Sequence, residues 1–115
     1  MDQHVFAGLG NYLRSEILFL SRLHPKRTLG SLSVDERRRL ASQIHTVIHR
    51  SYQSKGMTTS QDYVEEKQKL GWSKSAYRHY VFGRVNKKCP FCDSRIHKID
   101  VSGRRLYLCF SCQSE

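Results

Sequence analysis

Long apolar runs are missing from this 115-residue chain. No stretch approaches the roughly 20 residues a helix needs to cross a bilayer, which sets aside a helical membrane protein. The opening residues Met1-Asp2-Gln3-His4 also lack the basic and apolar regions of a secretory signal. Acidic residues are scarce: ten Asp and Glu stand against twenty Lys and Arg, for a formal charge of +10. Cysteine occurs nowhere outside two short pairs in the last quarter. These features predict a soluble, intracellular protein, either one domain or a helical body with a small metal-stapled appendage. The reducing cytoplasm keeps thiols available for a metal.

What is present begins with those pairs. Cys89-Pro90-Phe91-Cys92 is followed, after sixteen residues, by Cys109-Phe110-Ser111-Cys112. Each Cys-x-x-C can present two thiolates from a tight knuckle turn, and an intervening hairpin would bring the knuckles to one ion. This is the spacing of a four-cysteine zinc ribbon, with Cys89, Cys92, Cys109 and Cys112 as ligands to one structural Zn2+. The alternatives are two disulfides, four free buried thiols or a redox pair, the last lacking a strand-helix setting. Four zinc-bound thiolates would lower the formal charge to about +8.

The excess positive charge points to a polyanion, and its distribution narrows the choice. Residues 74–115 hold nine basic and three acidic side chains, whereas residues 1–73 hold eleven and seven. Around the ribbon, basic and aromatic residues interleave instead of forming an amphipathic surface helix, which favours nucleic acid over an anionic membrane.

Along the chain, residues 2–7 suggest a short helix entering the turn Gly8-Leu9-Gly10-Asn11. The next helix, over residues 12–23, carries apolar residues on both sides and is expected to be buried, stopping near His24 because Pro25 follows. A glycine turn feeding a helix can aim free amides at an anion, with Asn11 adding a side-chain donor. It serves equally as a turn plus N-cap. Glu16, inside the apolar run, is expected to be structural and to accept hydrogen bonds from nearby turn amides. Ser33 and Glu36 form a capping box opening a second helix, with Leu40, Ile44, Val47 and Ile48 as its core stripe and Tyr52 one turn beyond. Arg37, Arg38 and Arg39 read as a solvated face, and His45 and His49 as surface histidines.

Ser54-Lys55-Gly56 breaks that helix, and Ser60 caps a third running through Leu70 to Gly71. The stretch over residues 72–80 mixes Trp72, Tyr77 and Tyr80 with Lys74, Arg78 and hydroxyl groups. It suits stacking on bases or gripping phosphates, with Lys74 and Tyr77 as candidate contacts, or else packing onto the helices. Residues 95–101 and 104–108 then form the ribbon's strands, joined at Ser102-Gly103. The tip carries Arg104 and Arg105, which a rigid hairpin orders cheaply against phosphate.

The run Asp2-Gln3-His4-Val5-Phe6-Ala7-Gly8-Leu9-Gly10-Asn11-Tyr12-Leu13-Arg14-Ser15-Glu16 resembles the helix-two-turns-helix signature of the formamidopyrimidine-DNA glycosylase and endonuclease VIII family. His24-Pro25, Phe82-Gly83-Arg84 and the four-cysteine ribbon follow in the family's order, over almost the whole chain. The wording of residues 8–14 looks closer to the endonuclease VIII branch. The resemblance implies a mostly α fold: a helix-two-turns-helix DNA-binding body over residues 1–80 and a four-cysteine zinc-ribbon β-hairpin over residues 81–115. It implies a partner, double-stranded DNA containing oxidised or abasic sites, and a place in the bacterial cytoplasm near the nucleoid. Gly8, Gly10 and Asn11 would hold a phosphate near the lesion. Arg104, with Arg105 beside it, would contact phosphate opposite the flipped base, and the loop over residues 70–80, with Lys74 and Tyr77, would border that base.

Family members excise oxidised bases through the secondary amine of an N-terminal proline and a neighbouring glutamate, then cut the strand by elimination from a Schiff base. Here the first residues are Met1-Asp2, and no β-rich catalytic domain accompanies the helices. The chain is therefore expected to be the C-terminal half of such a bifunctional glycosylase and AP lyase, from a truncated reading frame or a cut piece, and inactive alone. The alternative is a non-enzymatic zinc-ribbon nucleic-acid-binding module. A ribosomal helix-two-turns-helix protein lacks the ribbon, and a zinc ribbon for protein interaction would show little sensitivity to salt.

Overall fold

The computed structural model describes residues 10–101 and 103–113, without the side chains of Asn11 and Leu29. The expected helix over residues 2–7, Gly8, Leu9 and Ser102 lie outside the described residues. Helix α1 spans Asn11–Leu20 and places Ile17, Leu18 and Phe19 in the interior, as its two-sided apolar pattern predicts. It stops three residues earlier than expected. Arg22 adopts φ +59°, its N–H bonds the Phe19 carbonyl at 3.1 Å, and the Leu23 N–H returns to Leu18 at 3.0 Å. This is a Schellman closure with arginine where glycine usually stands, so the usual sequence marker is missing.

Helix α2, Val34–Ser54, starts on the predicted capping box, the Ser33 N–H donating to Glu36 at 2.9 Å and the Glu36 N–H to Ser33 Oγ at 3.1 Å. Arg27 grips the same carboxylate with two donors at 3.2 and 3.1 Å. Left-handed Lys55 and Gly56 end the helix where expected. Its core stripe is narrower than predicted. Leu40 and Val47 are buried and Ile44 is partly so, whereas Ile48 and Tyr52 are 39% and 86% exposed. Arg39 corrects the solvated-face reading in part, because its Nε donates to the Ser21 carbonyl at 2.7 Å and so satisfies the C-terminal end of α1.

Helix α3, Gln61–Lys69, is capped by Ser60, and α4, Lys74–Tyr77, is a single turn packed against it. Strands β1, His97–Val101, and β2, Arg104–Leu108, pair antiparallel with Val101 opposite Arg104 and His97 opposite Leu108. Leu106 and Leu108 alternate inward from β2.

Two apolar clusters hold these parts together, and both span the helices and the ribbon. One joins Ile17, Leu18, Leu23, Leu32, Leu40 and Val47 to Leu106. The other joins Phe19, Tyr80 and Val81 to Cys89, Ile96 and Cys109. The result is a mostly helical body with a C-terminal β-hairpin and four clustered cysteines. No described helix is long and apolar enough to cross a membrane.

Candidate metal centre and nucleic-acid interface

The predicted knuckles converge. The Sγ atoms of Cys89, Cys92, Cys109 and Cys112 all lie within 4.8 Å of one another. Two of the separations, Cys92–Cys109 at 3.4 Å and Cys89–Cys112 at 3.9 Å, are far beyond a disulfide bond of about 2.05 Å. They match the edge of about 3.8 Å expected for a tetrahedron with metal–sulfur bonds of about 2.3 Å. Backbone N–H groups of Phe91 and Ser94 donate to Cys89 and Cys92 at 3.5 and 3.4 Å, the outer bonding that orients thiolate ligands. The Ser94 amide holds the Cys92 thiol down to about 7, while burial pushes Cys112 up to about 11. The four cysteines form a site able to hold one metal ion. Among the described residues no other cluster of three or more His, Cys, Asp or Glu does so.

A buried polar tie, absent from the sequence reading, docks this centre on α1. Gln113 is fully buried; its Oε1 accepts the Cys109 N–H at 2.9 Å and its Nε2 donates to the Leu23 carbonyl at 3.0 Å. The Tyr107 N–H donates to Ser15 Oγ at 3.0 Å farther along.

Glu16 is structural, as expected, but its partners are not nearby turn amides. The carboxylate accepts from the backbone of Tyr80, from Val81 at 2.8 Å and from Phe82 at 3.2 Å, and from the Thr58 hydroxyl. Burial pushes its pKa up, opposed by those four donors. Thr58 Oγ1 also meets His79 Nδ1 at 3.0 Å. Burial, and then Arg78, hold His79 down to about 4.

Of the predicted DNA contacts, Gly10 is exposed as the N-cap of α1, and Asn11 is the first residue of that helix. Arg104 and Arg105 are exposed at the start of β2. Because β2 packs along α1, Arg104 lies close enough to Arg14, on the first turn of α1, to perturb it. Burial, and then the charge of Arg104, hold Arg14 below the usual guanidinium range. Lys74 is exposed at the head of α4. Tyr77 is corrected: it is 8% exposed, and its hydroxyl accepts from Gln68 Nε2 at 3.1 Å, so its ring is packing material and not a stacking surface.

With this geometry in place, comparison with known proteins identifies the class. The family model for the formamidopyrimidine-DNA glycosylase H2TH domain matches residues 1–62, more than half of the chain. The chain belongs to that family. It is 36% identical over 115 residues to the formamidopyrimidine-DNA glycosylase of Hydrogenovibrio crunogenus, covering all of this chain and 40% of that protein. It is 37% identical over 113 residues to that of Heliobacterium modesticaldum, covering 98% and 40%. The chain thus spans about 40% of the length of these relatives. Among solved structures, Lactococcus lactis Fpg (MutM) with a FAPY-dG-containing DNA superposes with a TM-score of 0.78 at 23% identity, over 98% of this chain and 41% of that one. MutM with a carbocyclic 8-oxo-G-containing DNA gives 0.78 at 24% identity, over 98% and 40%. These likenesses show the fold. The leaning toward the endonuclease VIII branch is not confirmed, since the relatives named here are formamidopyrimidine-type proteins.

Proposed function

We propose that these residues grip damaged double-stranded DNA as the C-terminal part of a base-excision-repair glycosylase and AP lyase acting on oxidised bases. The observation that carries this reading is the packing of β2 along α1, with the Tyr107 N–H on Ser15 Oγ, which fixes the strand whose exposed start carries Arg104 and Arg105 against that helix. A helix start offers unpaired N–H groups, and exposed guanidiniums held near it favour a phosphate. In this reading Gly8, Gly10 and Asn11 hold one phosphate and Arg104 and Arg105 hold another, while Lys74 approaches the flipped nucleotide. The lesion-bearing DNAs named with the solved relatives support the choice of partner.

The donor set fits Zn2+, a soft, tetrahedral, closed site of four thiolates, whose contribution is structural. Functionally the molecule divides into a gripping helical body, residues 1–80, and a ribbon, residues 81–115, that aims Arg104.

Duplex binding titrated against salt tests the grip. Each neutralised phosphate adds roughly 0.9 to the log–log slope, so Arg104→Ala should weaken binding to all duplex sequences and flatten the slope by about that amount. An unchanged slope would remove Arg104 from the interface.

A further inference from the structure

A second basic and aromatic feature lies outside the contacts above. A cleft of about 580 Å³ opens between α3 and the first cysteine knuckle, its wall including Lys67, Trp72, Arg84, Lys87, Lys88 and Phe91. Trp72, Arg84 and Lys87 also line an adjoining hollow that reaches Ser75 and Ala76 of α4, so the two form one groove across the indole. Two of its cations are held in place: Lys67 Nζ lies 4.7 Å and the Arg84 guanidinium carbon 5.4 Å from the Trp72 ring centroid, and Arg84 also donates to the Tyr80 carbonyl at 3.1 Å. Immobilised cations lose little further freedom when they bind an anion.

The acidic neighbours offset this charge weakly. Asp93 meets Lys88 at 3.1 Å with side chains 95% and 65% exposed, and Glu66 meets Lys67 at 3.5 Å. The exposed Lys88–Asp93 pair is worth little and yields readily to a phosphate. Lys87 has no side-chain ion pair among the described residues.

Phe91 supplies the complementary surface. Its ring stacks on Phe19 at 5.3 Å and 15°, fixing its orientation, yet the residue is 55% exposed. A rigid, half-open aromatic ring beside a row of cations matches one kind of polyanion, a strand whose bases are unstacked. A duplex keeps its base faces covered, and a lipid headgroup has no planar group for Phe91.

We propose that this groove seats single-stranded nucleic acid, with a base stacked on Phe91 and adjacent phosphates held by Arg84, Lys87 and Lys88. The site uses none of the residues proposed above to hold the duplex and does not depend on the duplex reading.

Trp72 is the only tryptophan in the chain, so its fluorescence reports on the groove directly. The metal-loaded chain is titrated with an oligothymidylate of about ten nucleotides at low salt. Saturable quenching is expected. The double variant Lys87→Ala, Lys88→Ala should weaken it roughly tenfold and lower its salt slope by roughly 0.7 per phosphate lost. Phe91→Leu, which keeps the packing on Phe19 but removes the stacking face, should weaken it at least about fivefold. Arg104→Ala should leave the quenching in place while reducing duplex binding, so failure of either proposal is seen separately. Absence of quenching overturns the proposal. So does equal binding of an abasic oligonucleotide or displacement by millimolar inorganic phosphate, either of which reduces the groove to a plain anion site.

Discussion

The body and the ribbon are closed by opposite means. Where the body runs into the ribbon, one carboxylate, Glu16, gathers three amides from residues 80–82 and the hydroxyl of Thr58, so that closure is built from the chain itself. In the ribbon, four thiols from two knuckles are gathered within 4.8 Å of one another, a set able to hold one metal ion, so that closure can draw on a ligand from solution. Metal-dependent folding should therefore stop at the ribbon and its docking surface, while the Glu16 closure should persist without metal.

Metal removal breaks the comparison most severely. Structural zinc sites contribute on the order of 10 kcal/mol of apparent binding free energy near neutral pH. Chelation, or Cys109→Ser, should abolish hydrogen-exchange protection across β1 and β2 while amides in the middle of α2 stay protected. Protection retained in the hairpin would show that the shared apolar clusters suffice.

Glu16→Gln probes the other side. An amide at that position turns an NH2 group toward backbone donors that need an acceptor, at a cost of about 2–4 kcal/mol. Urea unfolding of the metal-saturated variant should show a lower midpoint with an unchanged slope. A midpoint equal to the parent's would mean that the carboxylate charge is dispensable.

The smallest effect is acid sensitivity at His79. Its pKa is depressed in the fold to about 4, so its contribution to stability is complete above about 6.5, the unfolded value, and is lost as pH falls toward 4. The raised pKa of Glu16 acts with the opposite sign, since its protonated form is favoured in the fold. An NMR titration of the His79 ring should show no protonation until well below pH 6; a midpoint near 6.5 would contradict the buried Thr58–His79 contact.

Local chemistry made much of this readable in advance. The Ser33–Glu36 box, the Ser60 cap, the Lys55–Gly56 stop and both cysteine knuckles depend on residues a few positions apart, and all stand where their spacing puts them. What escaped was decided over long separations. Glu16 finds its acceptor role 64–66 residues away, Arg39 satisfies a helix end 18 residues behind it, and Gln113 reaches back 90 residues to Leu23. Aromatic composition over residues 72–80 could not distinguish the buried Tyr77 from the groove-lining Trp72, because only the packing of α4 on α3 separates them. The exposure of Ile48 and Tyr52 likewise follows from how α2 is oriented on α1, which a hydrophobic stripe alone does not determine.

The Gln113 tie makes the hairpin a lever. Its fulcrum is the second knuckle, clamped by one side-chain amide to Leu23 in the turn after α1, and its arm is β2, five residues or about 17 Å long. A rotation of about 3° at the clamp displaces the far end by about 1 Å on such an arm. The position of Arg104 is thus set from the far end of the strand by a residue that touches no solvent, and held along the way by Leu106 in the core and Tyr107 on Ser15.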